Sequence, residues 1–325
     1  MLRGSLRFCA SLQKTKTVKV LITGAGGQLG PELAAGLRAR LGKDSVLSTN
    51  LNLLGDWSEE GPAKFLDVTD ELGFMRETAN FRATHIIHLA ALLSGTSEKN
   101  PKLAMQVNSR GVENALNVAE KLGISIFIPS SIAAFGPGTP RIATLDSALQ
   151  RPSFLYGVGK VYAELLGEWY RSKGVDFRSL RYPGVISWKH PPGGGTTDWA
   201  CESYFKAAKG ESKYTCFLNK DTRMPMIHVD ELVEGTLDFI FTDKSKLTQS
   251  VYNISGCSFT PSEQVKDIQR FFPNFQAEYL PDFRQKIADS WPESLDDRNA
   301  RNDWGWNPKF KLKSITDDMI KHLIP

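Results

Sequence analysis

The sequence predicts an α/β fold: a doubly wound parallel sheet, followed by a smaller C-terminal α/β region for substrate. Short apolar runs alternate with helix-length stretches from Thr17 to about residue 187. That spacing suits crossover helices between parallel strands rather than hairpins. A glycine-rich turn, GAGGQLG, joins the first apolar run to the first helix. After Ser187 the texture shifts to a Pro- and Gly-rich loop and shorter elements.

Taken in order, residues 18–23 (VKVLIT) read as a buried strand and PELAAGLRARL as a helix stopping at Gly42. Residues 45–50 and 65–68 (FLDV) read as the second and third strands, and 71–82 as a helix. THIIHLAA, residues 84–91, is the fourth strand. An amphipathic helix over 101–122 ends at Gly123. Residues 124–131 (ISIFIPSS) form the fifth strand, 153–173 a helix, and 176–186 (DFRSLRYPGVI) the sixth strand. Beyond them, a helix is expected near 198–209, a strand near 213–218 and a helix after Pro261. The chain divides into a leader (1–16), a dinucleotide-binding unit (17–187) and a substrate region (188–325), whose chain is free to cross back into the sheet.

The 325 residues are 41% hydrophobic and 23% charged, an ordinary globular balance. No apolar run approaches the ~18 residues of a membrane span. Cys9, Cys201, Cys216 and Cys257 lie far apart with no CxxC pair, which argues against a disulfide framework or zinc knuckle. Lys and Arg exceed Asp and Glu by four, and Arg3, Arg7, Lys14 and Lys16 account for that excess. The basic balance therefore belongs to the leader and is no argument for a nucleic-acid surface. The leader is acid-free and lacks a long apolar core, so it reads as an organelle transit segment or a cytosolic tail, not a secretory signal.

Gly24, Gly27 and Gly30 form GxxGxxG between a strand and a helix. In that setting the first glycine permits a sharp turn, the second lets backbone approach a pyrophosphate, and the third lets helix pack on strand. Asn50 ends the second strand, 20 residues past Gly30, where an Asp usually reads the adenosine ribose. Asn can bond ribose hydroxyls but cannot repel a 2′-phosphate. The following Leu51-Asn52-Leu53-Leu54 offers no cation to hold one, so NAD is favoured over NADP. Asp67, with Val68, stands at the next strand end, positioned either to bond the adenine amino group or to cap the next helix.

Tyr156 and Lys160 form YxxxK. Positions four apart share a helix face, so the ammonium can favour a phenolate. Tyr156 could then take a proton from a substrate hydroxyl while hydride leaves for the cofactor. The Ser130-Ser131 pair ends the fifth strand at the same rim, and Ser131 could hold the substrate oxygen. The competing reading is a packed tyrosine, a solvated lysine and two turn serines.

GxxGxxG, the run at His88–Ala91, Asn108, SSIAAFG and YGVGK together resemble the extended short-chain dehydrogenase/reductases. The likeness covers nearly the whole chain from Val18. It implies a Rossmann fold and places a Ser–Tyr–Lys set on Ser131, Tyr156 and Lys160. It also implies that Gln28, Leu29, Leu89, Ala90, Ala91, Asn108 and Tyr182 contact the cofactor. Three segments, LAALLSG, GGGTTDWA and IADSWPESLDD, are similar to the short-chain type of L-threonine 3-dehydrogenase. This narrower resemblance implies NAD-dependent oxidation of the threonine 3-hydroxyl to 2-amino-3-oxobutanoate, a homodimer formed by helix packing, and a mitochondrial home in eukaryotes. Asn50 departs from that family's usual Asp.

An amino-acid zwitterion needs a carboxylate for its ammonium and hydroxyls or amides for its carboxylate. Thr196, Thr197 and Asp198 offer these in one turn, and the same triplet could cap a helix. Ser94, on the loop after the fourth strand, could also reach in. Trp291 reads either as a pocket lid or as a packing residue. His85 and His88 point to opposite faces of a strand and cannot share a metal. His228 reads as a core or strand-edge histidine, and Arg181 as a brace of the sheet. Two other functions stay open: a nucleotide-sugar epimerase or dehydratase, and a non-catalytic dinucleotide sensor.

Overall fold

In the computed structural model, residues 17–53, 55, 58–189 and 193–324 are described. The leader, Leu54 and residues 190–192 of the Pro/Gly-rich loop lie outside them. The first half supplies β1 (Val20–Thr23), α1 (Gly30–Leu41), β2 (Val46–Asn50), β3 (Ala63–Phe65), α2 (Glu71–Phe81) and β4 (His85–His88). Next come α3 (Ser94–Lys99), α4 (Pro101–Met105), α5 (Gly111–Leu122), β5 (Ser125–Phe127), β6 (Ser130–Ser131), α6 (Leu155–Ser172) and β7 (Phe177–Tyr182). The remainder supplies β8 (Gly184–Ile186), α7 (Trp199–Ala208), β9 (Lys213–Cys216), β10 (Met224–His228), α8 (Val229–Phe241), β11 (Val251–Asn253) and β12 (Cys257–Phe259). It ends with α9 (Pro261–Ile268), β13 (Gln276–Tyr279), α10 (Arg284–Asp289), α11 (Arg298–Trp304) and α12 (Leu312–Leu323).

The main sheet runs β11-β7-β5-β4-β1-β2-β3, with β6 also paired to β7, and every pairing is parallel. Parallel strands covered on both faces read as near-continuous apolar runs, and β1 is buried along its whole length. Its side chains alternate between two cores. Val20 and Ile22 meet Leu33 and Leu37 of α1 and Leu237 of α8. Leu21 joins Ile86, Leu116 of α5 and Phe177 on the other face. Each fully buried aliphatic side chain contributes roughly 1.5–3 kcal/mol. A third core holds the C-terminal region together around Trp199, Tyr204, Phe259, Ile315 and Met319.

Prolines account for two departures from the expected strands. The fifth strand divides into β5 and β6 around Pro129, and the sixth divides at Pro183, because proline has no N–H for a ladder. Gly184–Ile186 then leaves the main sheet for a three-stranded one with β10 and β12. The third strand ends at Phe65, ahead of LDV. There Asp67 accepts hydrogen bonds from the Thr69 N–H and hydroxyl, which turns the chain. The helix expected over 101–122 contains a π turn at Gln106–Arg110.

Candidate active site

β2 and β4 flank β1 and the chain winds outward on either side, so a crevice opens at the carboxyl ends of β1 and β4. A cleft of about 1160 Å³, open mouth included, occupies this position. It brings together Gly24, Gly27, Gln28, Leu29 and Gly30 with Leu89, Ala91 and Tyr182. Ser131, Tyr156 and Lys160 line it too, and so do Ser94, Thr196, Thr197, Asp198 and Trp291.

The glycine turn is built for close approach. Gly24 has φ +69°, and a Cβ there would lie 2.7 Å from the Ala90 nitrogen. A Cβ on Gly30 would lie 2.3 Å from the Ala25 carbonyl oxygen. α1 begins with no side chain capping it, and its first turn lines the cleft. An uncapped helix N-terminus beside a glycine turn suits a pyrophosphate, so these residues fit a dinucleotide. Asn50, Asp67, Val68, Ala90 and Asn108 stand outside the lining. Asn50 does end β2, and its amide donates to the Asn52 carbonyl at 3.1 Å. The capping alternative for Asp67 is corrected: Asp70 caps α2, accepting from the Gly73 N–H at 3.0 Å. Val68 is core, and its carbonyl accepts from Asn114. Asn108 clamps the backbone of Leu92 through both its amide oxygen (2.8 Å) and its amide nitrogen (3.0 Å). The π turn sits at that clamp, and Ala90 and Asn108 line a small pocket behind Tyr156. Tyr182 shares its hydroxyl with Thr236 at 2.7 Å, and burial pushes its phenol far above the usual range.

Tyr156 and Lys160 share one face of α6, and the Lys160 Nζ lies 5.3 Å from the tyrosine ring centre. That Nζ donates to the Pro129 carbonyl at 2.6 Å. Burial pushes Tyr156 up to about 12, with the Ser131 hydroxyl pulling the other way. Burial pushes Lys160 down to about 8, opposed by the Glu164 charge. The two serines divide their roles. Both border the cleft, but the buried Ser130 hydroxyl donates to Glu164, whereas Ser131 Oγ accepts from the Ala133 N–H at 3.2 Å.

Across the cleft, the Ser94 and Thr196 hydroxyls share a hydrogen bond of 3.2 Å. Ser94 opens α3 rather than sitting in an extended loop. Asp198 precedes α7 but does not cap it. Its Oδ2 accepts the Gly194 and Gly195 N–H groups at 2.7 Å each, which folds the glycine loop around a carboxylate. Burial raises its pKa, and those N–H groups oppose the rise. Trp291 is a buried cleft wall rather than an exposed lid, and its carbonyl accepts from Arg141 at 3.1 Å. Leu93, Pro183 and Gly184 also line the cleft and were missed. Pro183-Gly184 directly after a strand at the sheet's carboxyl edge was the available signal. His228 is buried, stacked 4.1 Å from the Phe310 ring and 3.0 Å from Asp318. Among the described residues, no cluster of His, Cys, Asp and Glu could hold a metal ion.

Comparison with known proteins agrees with this fold. A mitochondrial L-threonine 3-dehydrogenase from Bos taurus is 43% identical over 313 residues, covering 95% of this chain and 84% of that protein. The crystal structure of L-threonine dehydrogenase from Phytophthora infestans superposes with a TM-score of 0.91 at 44% identity, covering 94% of this chain and 98% of that one. A monomeric L-threonine 3-dehydrogenase from a metagenome, in its apo form, gives a TM-score of 0.90 at 40% identity, covering 94% and 98%. The family model described as the NAD dependent epimerase/dehydratase family matches residues 20–255, and the chain belongs to that family.

Proposed function

We propose that this chain oxidises the 3-hydroxyl of L-threonine with NAD, yielding 2-amino-3-oxobutanoate. The carrying observation is that one cleft holds the glycine turn, the Ser131–Tyr156–Lys160 set and the Thr196–Asp198 loop. Bound NAD supplies the hydride acceptor for C3 and a second positive charge near the phenol. Lys160 supplies the first, and both favour the phenolate of a tyrosine that burial alone keeps protonated. Tyr156 Oη takes the proton of the 3-hydroxyl as C3 becomes a carbonyl. Ser131 holds the same oxygen against Tyr156. Asp198 and the Ser94–Thr196 pair offer a charge and hydroxyls to the ammonium and carboxylate. The names of the bovine and Phytophthora relatives support this reading.

The bovine relative's mitochondrial address and the basic, acid-free leader support a mitochondrial location. Val158, Leu165 and Trp169 on α6 are exposed apolar residues that support a helix-packed homodimer, checked by sedimentation.

The test is absorbance of reduced nicotinamide with purified protein, NAD or NADP, and L-threonine, D-threonine, L-allo-threonine, L-serine or a nucleotide sugar. Reduction with L-threonine and NAD is expected. Turnover of the nucleotide sugar alone, or saturable NAD binding without turnover, overturns the proposal.

A further inference from the structure

Beneath the reacting groups lies a buried charged network that the proposed reaction does not use. Glu164 follows Lys160 by four residues and Tyr156 by eight, so the three share one face of α6. Its side chain is 3% exposed. Oε1 accepts from the Ser130 hydroxyl and from Arg181 Nε at 3.0 Å. Oε2 accepts from Arg181 Nη2 at 2.8 Å and from Gln150 at 2.7 Å. Four donors from three other segments converge on one carboxylate. Three of those donors belong to paired strands, since Ser130 lies opposite Arg181 and Ser131 opposite Tyr182 in the β6–β7 ladder.

The network continues toward the cleft wall. Arg181 Nη1 donates to the Asp146 carbonyl at 2.7 Å and to the Asn253 side chain at 3.2 Å. Asn253 in turn donates to the Thr144 carbonyl at 2.8 Å. Thr144 bridges to Leu295, on the segment that carries Trp291. An apolar pair of similar volume would hold the sheet about as well as a buried ion pair. What an ion pair with four directed bonds adds is a fixed register between helix and strand end.

We propose that Glu164 is a positioning residue for the reaction above: its buried carboxylate locks the strand end carrying Ser131 onto the helix carrying Tyr156 and Lys160. This rests on the threonine-dehydrogenase reading. Glu164 is also the anion that opposes the loss of charge at Lys160. The other titratable groups around Lys160 are Tyr156 on its own helix and His88 from β4, with Arg181 from β7 behind Glu164. Neutralising Glu164 leaves Lys160 among neutral and cationic neighbours, so its ammonium gives up its proton at lower pH.

Three variants test this: E164Q, S130A and, as a stability control at the far end of β7, D176N, which breaks the Arg178–Asp176 pair. Steady-state kinetics, NAD binding by calorimetry and Tm are measured for each. Lys160 is titrated in the cofactor-free protein by 13C NMR of labelled lysine, assigned with K160R. E164Q is expected to lose kcat by about 20-fold or more, with the threonine KM and NAD affinity within about twofold, because misplacement raises the barrier more than it weakens binding. Its Lys160 midpoint moves down by at least half a pH unit. S130A, which removes one bond and no charge, loses kcat by about fivefold and leaves the Lys160 midpoint in place. D176N lowers Tm but keeps kcat within about twofold.

Unchanged kcat in a folded E164Q, or losses in E164Q and S130A no larger than in D176N at matched Tm, overturns the proposal. If E164Q does not fold, S130A decides alone: unchanged kcat overturns it. Absence of threonine turnover in the wild type overturns the functional reading instead, and the cofactor-free Lys160 titration in E164Q then decides the role of Glu164.

Discussion

The Lys160 ammonium donates to the Pro129 carbonyl at 2.6 Å. Pro129 immediately precedes β6, so the lysine is tied to the strand end that presents Ser131. The bond leaves Nζ 5.3 Å from the Tyr156 ring centre, close enough to act on the phenol through charge.

Tyr156→Phe keeps the ring and its packing and removes only the group that takes the proton. Threonine-dependent NAD reduction should fall by about 10²–10⁴-fold. NAD affinity, read by calorimetry, should stay near wild type. Retained turnover would remove Tyr156 from the mechanism.

Asp198→Ala leaves the Gly194 and Gly195 N–H groups without their acceptor. Losing a buried acceptor costs about 1–3 kcal/mol, so the threonine KM should rise about tenfold or more. Both bonds lie within the 194–198 loop, so NAD binding at the glycine turn should hold. Equal losses for threonine and NAD would instead mean general collapse of the site.

Asn50→Asp restores a carboxylate at the end of β2. A negative charge there repels a 2′-phosphate, so the preference for NAD over NADP should widen by about tenfold, ~1.4 kcal/mol. The ratio of kcat/KM for the two cofactors measures it. An unchanged ratio would mean the β2 terminus does not read the ribose.

His88 is buried, with Nδ1 2.9 Å from the Thr23 hydroxyl and Nε2 without a partner. Burial pushes its pKa down to about 3, with the Lys160 charge adding to the shift. The unfolded imidazole titrates near 6.5, so the unfolded chain binds the extra proton between those values. The stability is therefore fully present above about pH 6.5 and is lost as pH falls toward 3, at roughly 1.4 kcal/mol per unit. Urea midpoints measured from pH 7 to pH 4 should show this slope in the wild type, and His88→Gln should flatten it by one proton. Identical slopes would place the acid sensitivity elsewhere.

Much of the fold was legible because its signals are local. Parallel strands such as β1 and β4 are buried on both faces and read as apolar runs, and α5 ends at Gly123 with φ +61°. The breaks at Pro129 and Pro183 were legible in principle, since proline removes a ladder donor, yet the apolar runs continue across both and mask them. The candidate site was half legible. Gly24, Gly30, Tyr156 and Lys160 have fixed spacings on a turn or a helix. The Asn108 clamp on the Leu92 backbone was not legible, since it depends on a contact 16 residues away. Asp198 reads as a substrate contact or a cap, and its carboxylate is the acceptor at the centre of a glycine loop.

The sequence by itself determined the alternation of strand and helix, the glycine turn between β1 and α1, and the shared face of Tyr156 and Lys160. Each follows from the geometry of a few consecutive residues, where periods of two and 3.6 decide which side chains share a face. Only the tertiary structure decided which serine hydroxyl is already engaged, because Ser130 donates to Glu164, 34 residues away. It also decided that Ser94 meets Thr196 across 102 residues, and that Arg181 and Glu164 form one buried pair. A buried polar side chain takes its role from the donors and acceptors that chain crossings bring within about 3 Å, and no local periodicity encodes those crossings.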